Sequence, residues 1–186
     1  MVLLSILIPT LESRGEKLKA CLESLNHKEY KKDVEILLEY DNGEQSVGAK
    51  RNALLDSAKG EYVCFVDDDD VLGRDYLKHI LEGIEKGVDC VSLRGVITFD
   101  GENPQVFEHS IKYDAWKTND TGAVIYERYP NHLNAIKRSI ASQFSFPPTN
   151  HGEDFDWSKK VFESGLIKTE HYVDAVTYHY KYVSNK

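Results

Sequence analysis

Short apolar runs alternate with stretches of helical spacing along the first half of the chain. The continuous apolar runs predict strands that are buried on both faces, as in a parallel sheet. They cover 3–8, 34–38, 61–66 and 88–93. The stretches with apolar residues at helical spacing cover 15–26, 47–58 and 76–84. Strands that alternate with helices in this way predict an α/β fold with a doubly wound, mostly parallel sheet flanked by helices.

The pattern changes after residue 94. Apolar positions on either side of Asp100-Gly101 predict a β-hairpin from 96–99 and 105–108. Further on, the spacing predicts helices at 136–142 and 154–164 and closing strands at 169–173 and 176–182. These elements predict a smaller mixed or antiparallel C-terminal part. Because no linker or repeat interrupts the chain, we expect one domain over 1–186 with two functional halves, 1–94 and 95–186.

Polar segments follow the first three predicted strands at the point where each strand ends. They cover 10–14, 41–45 and 67–70. The carboxyl ends of parallel strands meet at one edge of the sheet, and ligands of such folds bind beyond that edge. We therefore expect these three segments to form a common site.

The run Asp67-Asp68-Asp69-Asp70 directly follows the third apolar strand. Two carboxylates about 6 Å apart repel by about 3 kcal/mol at an effective dielectric near 20. A bound divalent cation, carrying a phosphate ligand, is the simplest group that offsets this repulsion. The structural alternative is a solvated acidic turn, which is the usual role of a charge run.

Net charge, cysteine spacing and the apolar start of the chain indicate which functions and which cell compartment the sequence fits. The chain has 186 residues and a net charge of −8, which argues against binding that depends on wrapping nucleic-acid phosphate. Cys21, Cys64 and Cys90 are scattered without C-x-x-C spacing, which is typical of reduced core thiols in a cytoplasmic protein and argues against structural zinc. The apolar start, 1–11, has neither the basic head of a signal peptide nor the length of a membrane span, so we expect no stable membrane insertion.

Several motifs together resemble a family 2 glycosyltransferase of the GT-A fold. They are Ser-Ile-Leu-Ile-Pro-Thr at 5–10, Leu-Glu-Ser-Leu at 22–25, Gly-Ala-Lys-Arg-Asn at 48–52, Gly-Glu-Tyr at 60–62, the aspartate run at 67–70 and Gly-Glu-Asp at 152–154. The resemblance implies a Rossmann-like GT-A sheet. It assigns binding of the nucleotide sugar to 1–94, and the acceptor and catalytic base to 95–186.

The resemblance also implies a reaction, a metal and a set of residues. It implies inverting transfer of a sugar from a nucleotide-diphosphate donor, a UDP- or GDP-sugar, to an acceptor hydroxyl, assisted by Mn²⁺ or Mg²⁺. Asp69 would contact the metal, Asp67 would support the ribose or the metal shell, and Asp70 or His179 could also serve as metal ligands. Asp154 matches the catalytic base, with Glu153 as its substitute. The donor-binding residues would be Pro9, Thr10, Glu12, Asp41, Lys50, Arg51, Asn52, Asp67 and Asp68.

The motifs are compatible with several classes of acceptor. A glycan, a lipid-linked sugar, a protein side chain and a modified nucleobase all fit. The Gln-x-x-Arg-Trp signature of polymerising synthases is absent, and the Asn-Gly-Glu-Gln-Ser segment after Asp41 departs from the family's common acidic-Gly-Ser run.

Residue-level alternatives stay open as well. Lys50-Arg51 could bind phosphate or form a solvated helix face, and Asp154 could cap the helix that it opens. His179 lies between Tyr178 and Tyr180 on a predicted strand, where a structural histidine is the more common role.

Two other functions compete with sugar transfer. Asp67-Asp68-Asp69-Asp70-Val71-Leu72 also fits the first motif of a haloacid-dehalogenase-type phosphatase, in which Asp67 would be the nucleophile and Asp69 the acid/base. That motif normally follows the first strand, whereas two predicted strands precede it here. A non-catalytic domain that binds a nucleotide sugar is the other candidate.

Overall fold

Two mixed β-sheets, joined by residues 67–70 (the acidic loop), form the framework of the protein. The computed structural model describes residues 2–184; Met1, Asn185 and Lys186 belong to the predicted domain but lie outside the described residues. In chain order the elements are β1 (Leu4–Leu11), α1 (Gly15–Leu25), β2 (Val34–Asp41), α2 (Val47–Ser57), β3 (Tyr62–Phe65), β4 (Val71–Leu72), α3 (Tyr76–Glu85), β5 (Cys90–Val91), β6 (Leu93–Phe99), β7 (Glu102–His109), β8 (Lys117–Thr118), β9 (Tyr126–Arg128), β10 (Ala135–Lys137), α4 (Arg138–Ala141), α5 (Glu153–Ser164), β11 (Glu170–His171) and β12 (Tyr178–Tyr182), with 3₁₀ helices at Glu12–Arg14 and His27–Tyr30.

The first sheet confirms the predicted α/β class. Within residues 2–184 its strand order is β11-β5-β10-β3-β1-β2, and β1 pairs in parallel with both β2 and β3. One strand departs from the prediction: β10 lies antiparallel between β3 and β5. Residues 136–142 were expected to be helical, but only Arg138–Ala141 is. A three-residue strand is too short to show a period, so long-range pairing decides its conformation.

Strand β1 continues through Pro9, where the sequence predicts its end. The Leu7 carbonyl accepts a hydrogen bond from the Val66 N–H at 3.1 Å, so alternate residues of β1 direct their backbone groups towards β3. The backbone of Pro9, two residues after Leu7, also faces the side of β3. However, the pairing between β1 and β3 ends at Phe65, before it reaches Pro9. The missing N–H therefore costs the sheet no hydrogen bond, and β1 carries Thr10 on to the site.

The second sheet has the order β4-β12-β6-β7-β9-β8 within the described residues. Its centre is the predicted hairpin, β6 paired with β7, in which Asp100 and Gly101 both adopt positive φ at the turn. The short strand β4, which the sequence does not predict, pairs with β12. Residues 67–70 therefore link β3 in one sheet to β4 in the other, and strands from both predicted halves are interleaved.

The core lies on both faces of the first sheet. Leu4, Ile6 and Ile8 of β1 pack on one face with residues of α1 and α3. Leu7 packs on the opposite face with residues of α2 and α5. This alternation explains the continuous apolar run of β1. No helix between residues 2 and 184 has the length and apolar character that crossing a membrane requires.

Gly48 allows α2 to approach the loop that leads into α5. A Cβ at Gly48 would lie 1.8 Å from the Pro147 carbonyl oxygen, and the Gly48 N–H donates to the Thr149 carbonyl at 3.1 Å. The same added Cβ would approach Glu153 Cβ to 3.4 Å. The backbone contact therefore fixes where α5 begins.

We expect Gly48→Ala to lower the free energy of unfolding by about 1–3 kcal/mol, because the added methyl group overpacks a backbone contact. Urea denaturation measures this change. Gly15→Ala at the start of α1 is the matched control, since a Cβ there meets nothing within 4 Å. Equal denaturation midpoints for the two variants would contradict this account of the α2 contact.

Candidate active site

The acidic loop alternates between two buried and two more accessible carboxylates. Asp68 and Asp70 are each 1% exposed. Asp68 accepts hydrogen bonds from the Thr10 hydroxyl and from Arg14, both at 2.5 Å. Asp70 accepts from the Tyr178 hydroxyl at 2.7 Å and from the backbone N–H of Lys181 at 3.3 Å. The aspartate run is therefore not a solvated turn, because two of its side chains anchor it to β1 and β12.

Burial dominates the ionisation of these two anchors. Desolvation raises the pKa of Asp68, although Thr10 and the charge of Arg14 oppose the shift. Desolvation, followed by the charge of Asp67, raises the pKa of Asp70 well above its usual value. Burial and neighbouring like charge thus disfavour the ionised form of both carboxyls, and a cation bound beside them would oppose this shift.

Asp67 and Asp69 form ion pairs with different elements. Arg51 of α2 lies 3.0 Å from Asp67 Oδ1. Asp69 Oδ2 lies 2.9 Å from Arg14 and 3.6 Å from Lys17. Asp69 is accordingly directed towards the start of α1, whereas Asp67 is directed towards α2.

The three polar segments meet at the carboxyl edge of the first sheet, as the sequence predicts. Thr10 joins Asp68, as described above, and the Thr10 carbonyl accepts from Lys50 Nζ at 2.6 Å. Lys50 also forms an ion pair with Asp41, and this bond is the main reason that the pKa of Asp41 is lowered. Pro9 is buried in β1 beside this group, and Glu12 is exposed just after the strand.

The Lys50-Arg51-Asn52 motif is buried rather than a solvated helix face. Lys50 is 2% and Arg51 is 4% exposed. Asn52 exchanges two hydrogen bonds with the backbone of Phe146, at 2.9 and 2.8 Å. The alternative of a solvated face is therefore wrong, and each side chain fixes a different loop around the site.

Arg51 connects the acidic loop with the start of α5. Arg51 forms an ion pair with Asp67, as described above, and its Nη1 atom lies 3.4 Å from Glu153 Oε1. Its guanidinium carbon is 5.7 Å from the ring centroids of both Phe65 and Phe146. Burial raises the pKa of Glu153, and the charge of Arg51 only partly opposes this.

Asp154 lies at the cavity, whereas Glu153 is turned inwards to Arg51. The N-cap of α5 is Gly152, with φ of 78°, so Asp154 does not have the capping role that the sequence left open. The side chain of Asp154 is 32% exposed, and its Oδ2 lies 3.9 Å from Nδ1 of the buried His132. Of the two predicted catalytic carboxylates, Asp154 is the one with access to a ligand.

A cavity of about 390 Å³ brings three of the candidate residues together. Asp67 and Asp70 of the acidic loop and Asp154 of α5 are among its lining residues. The remaining lining residues come mainly from the second sheet and the segment before β10: Ile97, Phe99, Phe107, His109, Trp116, Tyr126, Arg128, Asn131, His132, Leu133, Tyr180 and Tyr182.

The structure does not bring His179 to this cavity. Tyr178 binds Asp70 and Tyr180 lines the cavity, so strand alternation directs the intervening His179 to the other face, where it is exposed. From β12, the Tyr178 hydroxyl and the Lys181 backbone N–H reach the acidic loop. The predicted role of His179 as a metal ligand has no geometric support.

The residues at the cavity fit a divalent cation that arrives with a diphosphate. Within residues 2–184, no group of three or more His, Cys, Asp or Glu side chains forms a complete protein cage for a metal. Mg²⁺ is commonly held by one or two carboxylates together with substrate phosphates. Asp67 and Asp70 line the cavity and provide this pair; Asp69, the predicted principal ligand, is absent from its lining.

Sequence reasoning missed Tyr178, His109, His132 and Arg128. The alternation at 178–182 could have indicated Tyr178, because a tyrosine two residues from another lies on the same face of a strand. His109 and His132 are each 5% exposed, and burial lowers the pKa of His109 to about 3. No local pattern distinguishes them from core histidines.

Comparison with known proteins identifies the class of this fold and site. The model of the glycosyl transferase family 2 matches residues 39–146, which include α2 and the acidic loop. The chain therefore belongs to glycosyl transferase family 2, and the resemblance seen in its motifs is confirmed. No curated protein matches the sequence.

Solved structures show the same fold. S. aureus TarS 1–349 in complex with UDP is 18% identical, has a TM-score of 0.71 and aligns over 97% of this chain and 60% of that one. The complex of TarS 1–349 with UDP-GlcNAc is 15% identical with a TM-score of 0.67, over 100% of this chain and 60% of that one. The chain thus spans about three fifths of these structures, and the likeness confirms the GT-A fold.

We expect Arg51→Met to lower the free energy of unfolding by about 3 kcal/mol, because it leaves the buried Glu153 carboxylate without its cation. Chemical denaturation measures the change, and the exposed Arg74→Met is the control, with an effect within about 0.5 kcal/mol. Adding Glu153→Gln to Arg51→Met should recover part of the loss. A cost equal to that of Arg74→Met would show that the buried pair is not a structural link.

Proposed function

We propose that this chain transfers a sugar from a nucleotide-diphosphate donor to an acceptor hydroxyl, with inversion at the anomeric carbon and with Mg²⁺ or Mn²⁺ as cofactor. Family membership and the shared fold support the reaction class. The UDP and UDP-GlcNAc complexes of S. aureus TarS favour a UDP-sugar over a GDP-sugar as donor.

One observation carries the proposal: carboxylates from two separate elements line the same cavity. Asp67 and Asp70 lie together on the acidic loop, and Asp154 comes from the first turn of α5. Sugar transfer needs a site that stabilises the leaving diphosphate and a separate base for the acceptor. This arrangement provides both.

Asp67 and Asp70 would hold the metal ion. When bound, the ion supplies Lewis-acid stabilisation of the charge that develops on the leaving diphosphate. Arg51 fixes Asp67, and Tyr178 fixes Asp70, so both oxygens are oriented before the donor binds.

Asp154 is the proposed general base. Its accessible carboxylate can accept the proton of the acceptor hydroxyl while the acceptor oxygen bonds to the anomeric carbon and the diphosphate departs with the electron pair of the broken bond. Attack on the face opposite the leaving group inverts that carbon. A positioned base typically contributes about 10²–10⁴-fold to the rate.

The nucleoside part of the donor would lie at the ends of β1 and β2. Thr10, Lys50 and Asp41 form a connected polar group there, and Asp68 joins it through Thr10. Pro9, Glu12, Arg51, Asn52 and Asp67 complete the proposed donor-binding set. Ligands of open α/β sheets bind at this edge.

We also propose a cytoplasmic location, on the basis of the thiols. Cys21, Cys64 and Cys90 are buried and free, and burial raises the pKa of Cys21 and Cys64 to about 12. Such thiols are typical of proteins in a reducing compartment.

Asp154→Asn tests the base role. We expect transfer to fall by at least about 10²-fold, because the acceptor proton has no carboxylate to accept it. Stabilisation by UDP with Mn²⁺, measured as a shift in Tm, should persist in this variant. Asp156→Asn, an exposed position in the same helix, is the matched control and should keep wild-type transfer.

The same experiment separates the competing functions. Wild-type protein that is stabilised by UDP with Mn²⁺ but transfers no sugar would indicate a non-catalytic binding domain. Release of phosphate from a generic ester, abolished by Asp67→Asn, would indicate the phosphatase alternative. A wild-type Tm that no nucleotide changes would contradict donor binding.

A further inference from the structure

The segment before β10 holds His132 rigidly against the end of β3. Its carbonyl accepts a hydrogen bond from the Phe65 N–H at 2.8 Å. Around it, the Asn131 N–H donates to Asn134 Oδ1 at 3.0 Å, and the Leu133 N–H donates to Asn131 Oδ1 at 2.9 Å. His132 is therefore fixed beside the start of the acidic loop by its backbone.

His132 lines the cavity, and both nitrogens of its buried ring are left without a hydrogen bond among the described residues. The residue is 5% exposed and lines the cavity with Asp67, Asp70 and Asp154. Buried polar atoms are nearly always paired in native proteins, so a buried imidazole of this kind indicates a ligand.

The distance between His132 and Asp154 indicates which chemical group of the ligand would lie between them. His132 Nδ1 and Asp154 Oδ2 are 3.9 Å apart, which is too long for a direct hydrogen bond. An oxygen atom at about 2.8 Å from each would bridge this gap with an angle of roughly 90° at the oxygen. A hydroxyl group matches the site.

We propose that His132 is a second acceptor-binding residue: the acceptor hydroxyl lies between His132 Nδ1 and Asp154 Oδ2, and the acceptor is a carbohydrate. This inference rests on the proposed function and adds to it the contact that orients the nucleophile and the class of acceptor.

In this arrangement the hydroxyl donates its proton to Asp154 and accepts a hydrogen bond from His132 Nδ1–H. Its remaining lone pair is then directed at the anomeric carbon. The new bond forms from that lone pair, the bond to the diphosphate breaks with its electrons leaving on the diphosphate, and the hydroxyl proton passes to Asp154. His132 stays neutral throughout; burial, the charge of Arg51 and His109 hold its pKa well below the usual value.

The remaining cavity wall favours a sugar over a lipid chain. Arg128 lies over the rings of Trp116 and Tyr126, with its guanidinium carbon 5.1 and 5.4 Å from their centroids. The indole N–H of Trp116 and Nδ1 of His109 have no partner among the described residues. Aromatic faces beside unpaired hydrogen-bonding groups suit a pyranose ring, whereas an alkyl chain would leave these groups unpaired.

NMR of ¹⁵N-histidine-labelled protein with UDP and Mg²⁺ tests the site directly. The probes are methyl glycosides of glucose, galactose and N-acetylglucosamine, with decyl phosphate as the lipid probe and uridine as the nucleobase probe. We expect at least one glycoside to shift the His132 ring signals and the other two probes to leave them unchanged. A shift with decyl phosphate or uridine alone, or with none of the probes, would overturn the proposal.

Kinetics of two variants provide the second measurement. His132→Phe keeps a ring of similar shape without a donor and should lower kcat/KM for the glycoside acceptor by about 10²-fold, while KM for the donor is unchanged. His132→Asn places an amide near Nδ1 and should recover about tenfold of this loss. The exposed His151→Phe is the control.

The possible results distinguish a failure of the proposed role of His132 from a failure of the proposed function. Donor-dependent stabilisation with unchanged kcat/KM in His132→Phe would refute the role of His132 and leave the proposed function intact. A wild-type protein that binds no nucleotide would refute the proposed function. If His132→Phe raised the KM for the donor by the same factor as it lowered kcat/KM for the acceptor, His132 would only support the fold.

Discussion

The site depends on one buried cation, Arg51, placed between two carboxylates that would otherwise repel each other. It lies 3.0 Å from Asp67 and 3.4 Å from Glu153. Each Coulomb attraction is about 5 kcal/mol at an effective dielectric near 20. That gain is set against a desolvation cost of several kcal/mol for each buried ion. The net stabilisation is therefore modest, and the main consequence is positional: Arg51 fixes the distance between the proposed metal-binding carboxylates and the base.

The acidic loop places this link at the junction of the two sheets. It leaves β3 in the first sheet and enters β4 in the second, with Asp68 bound to Thr10 of β1 and Asp70 bound to Tyr178 of β12. The two buried aspartates therefore anchor the loop to both sheets, while Asp67 and Asp70 line the cavity. The aspartate run, in which mutual repulsion would be unfavourable without partners, is therefore the segment that connects the two sheets beside the cavity.

Much of this could be predicted from the sequence. The apolar runs located β1, β2 and β3, the helical spacing located α1, α2 and α3, and the three polar segments were expected to meet at the sheet edge. The extension of β1 through Pro9 and the strands β4 and β10 were missed, because strands of two or three residues have no period and depend on long-range pairing. The burial of Lys50 and Arg51 was not predictable either, since local sequence does not show that these two side chains pair with Asp41 and Asp67. The same limit explains why His132 gave no signal, whereas the alternation at 178–182 could have indicated Tyr178.

The most direct test of the central claim is a crystal structure with Mn²⁺ and UDP in which anomalous scattering locates the metal. The account predicts a manganese peak in contact with Asp67 and Asp70, the diphosphate on that ion, uridine at the ends of β1 and β2, and Asp154 facing the bound diphosphate across the cavity. A second cavity, of about 400 Å³, lies along α1 and is lined by Leu18, Leu22 and Lys28 among others. Manganese and nucleotide bound there, with the acidic loop contacting neither, would contradict the account.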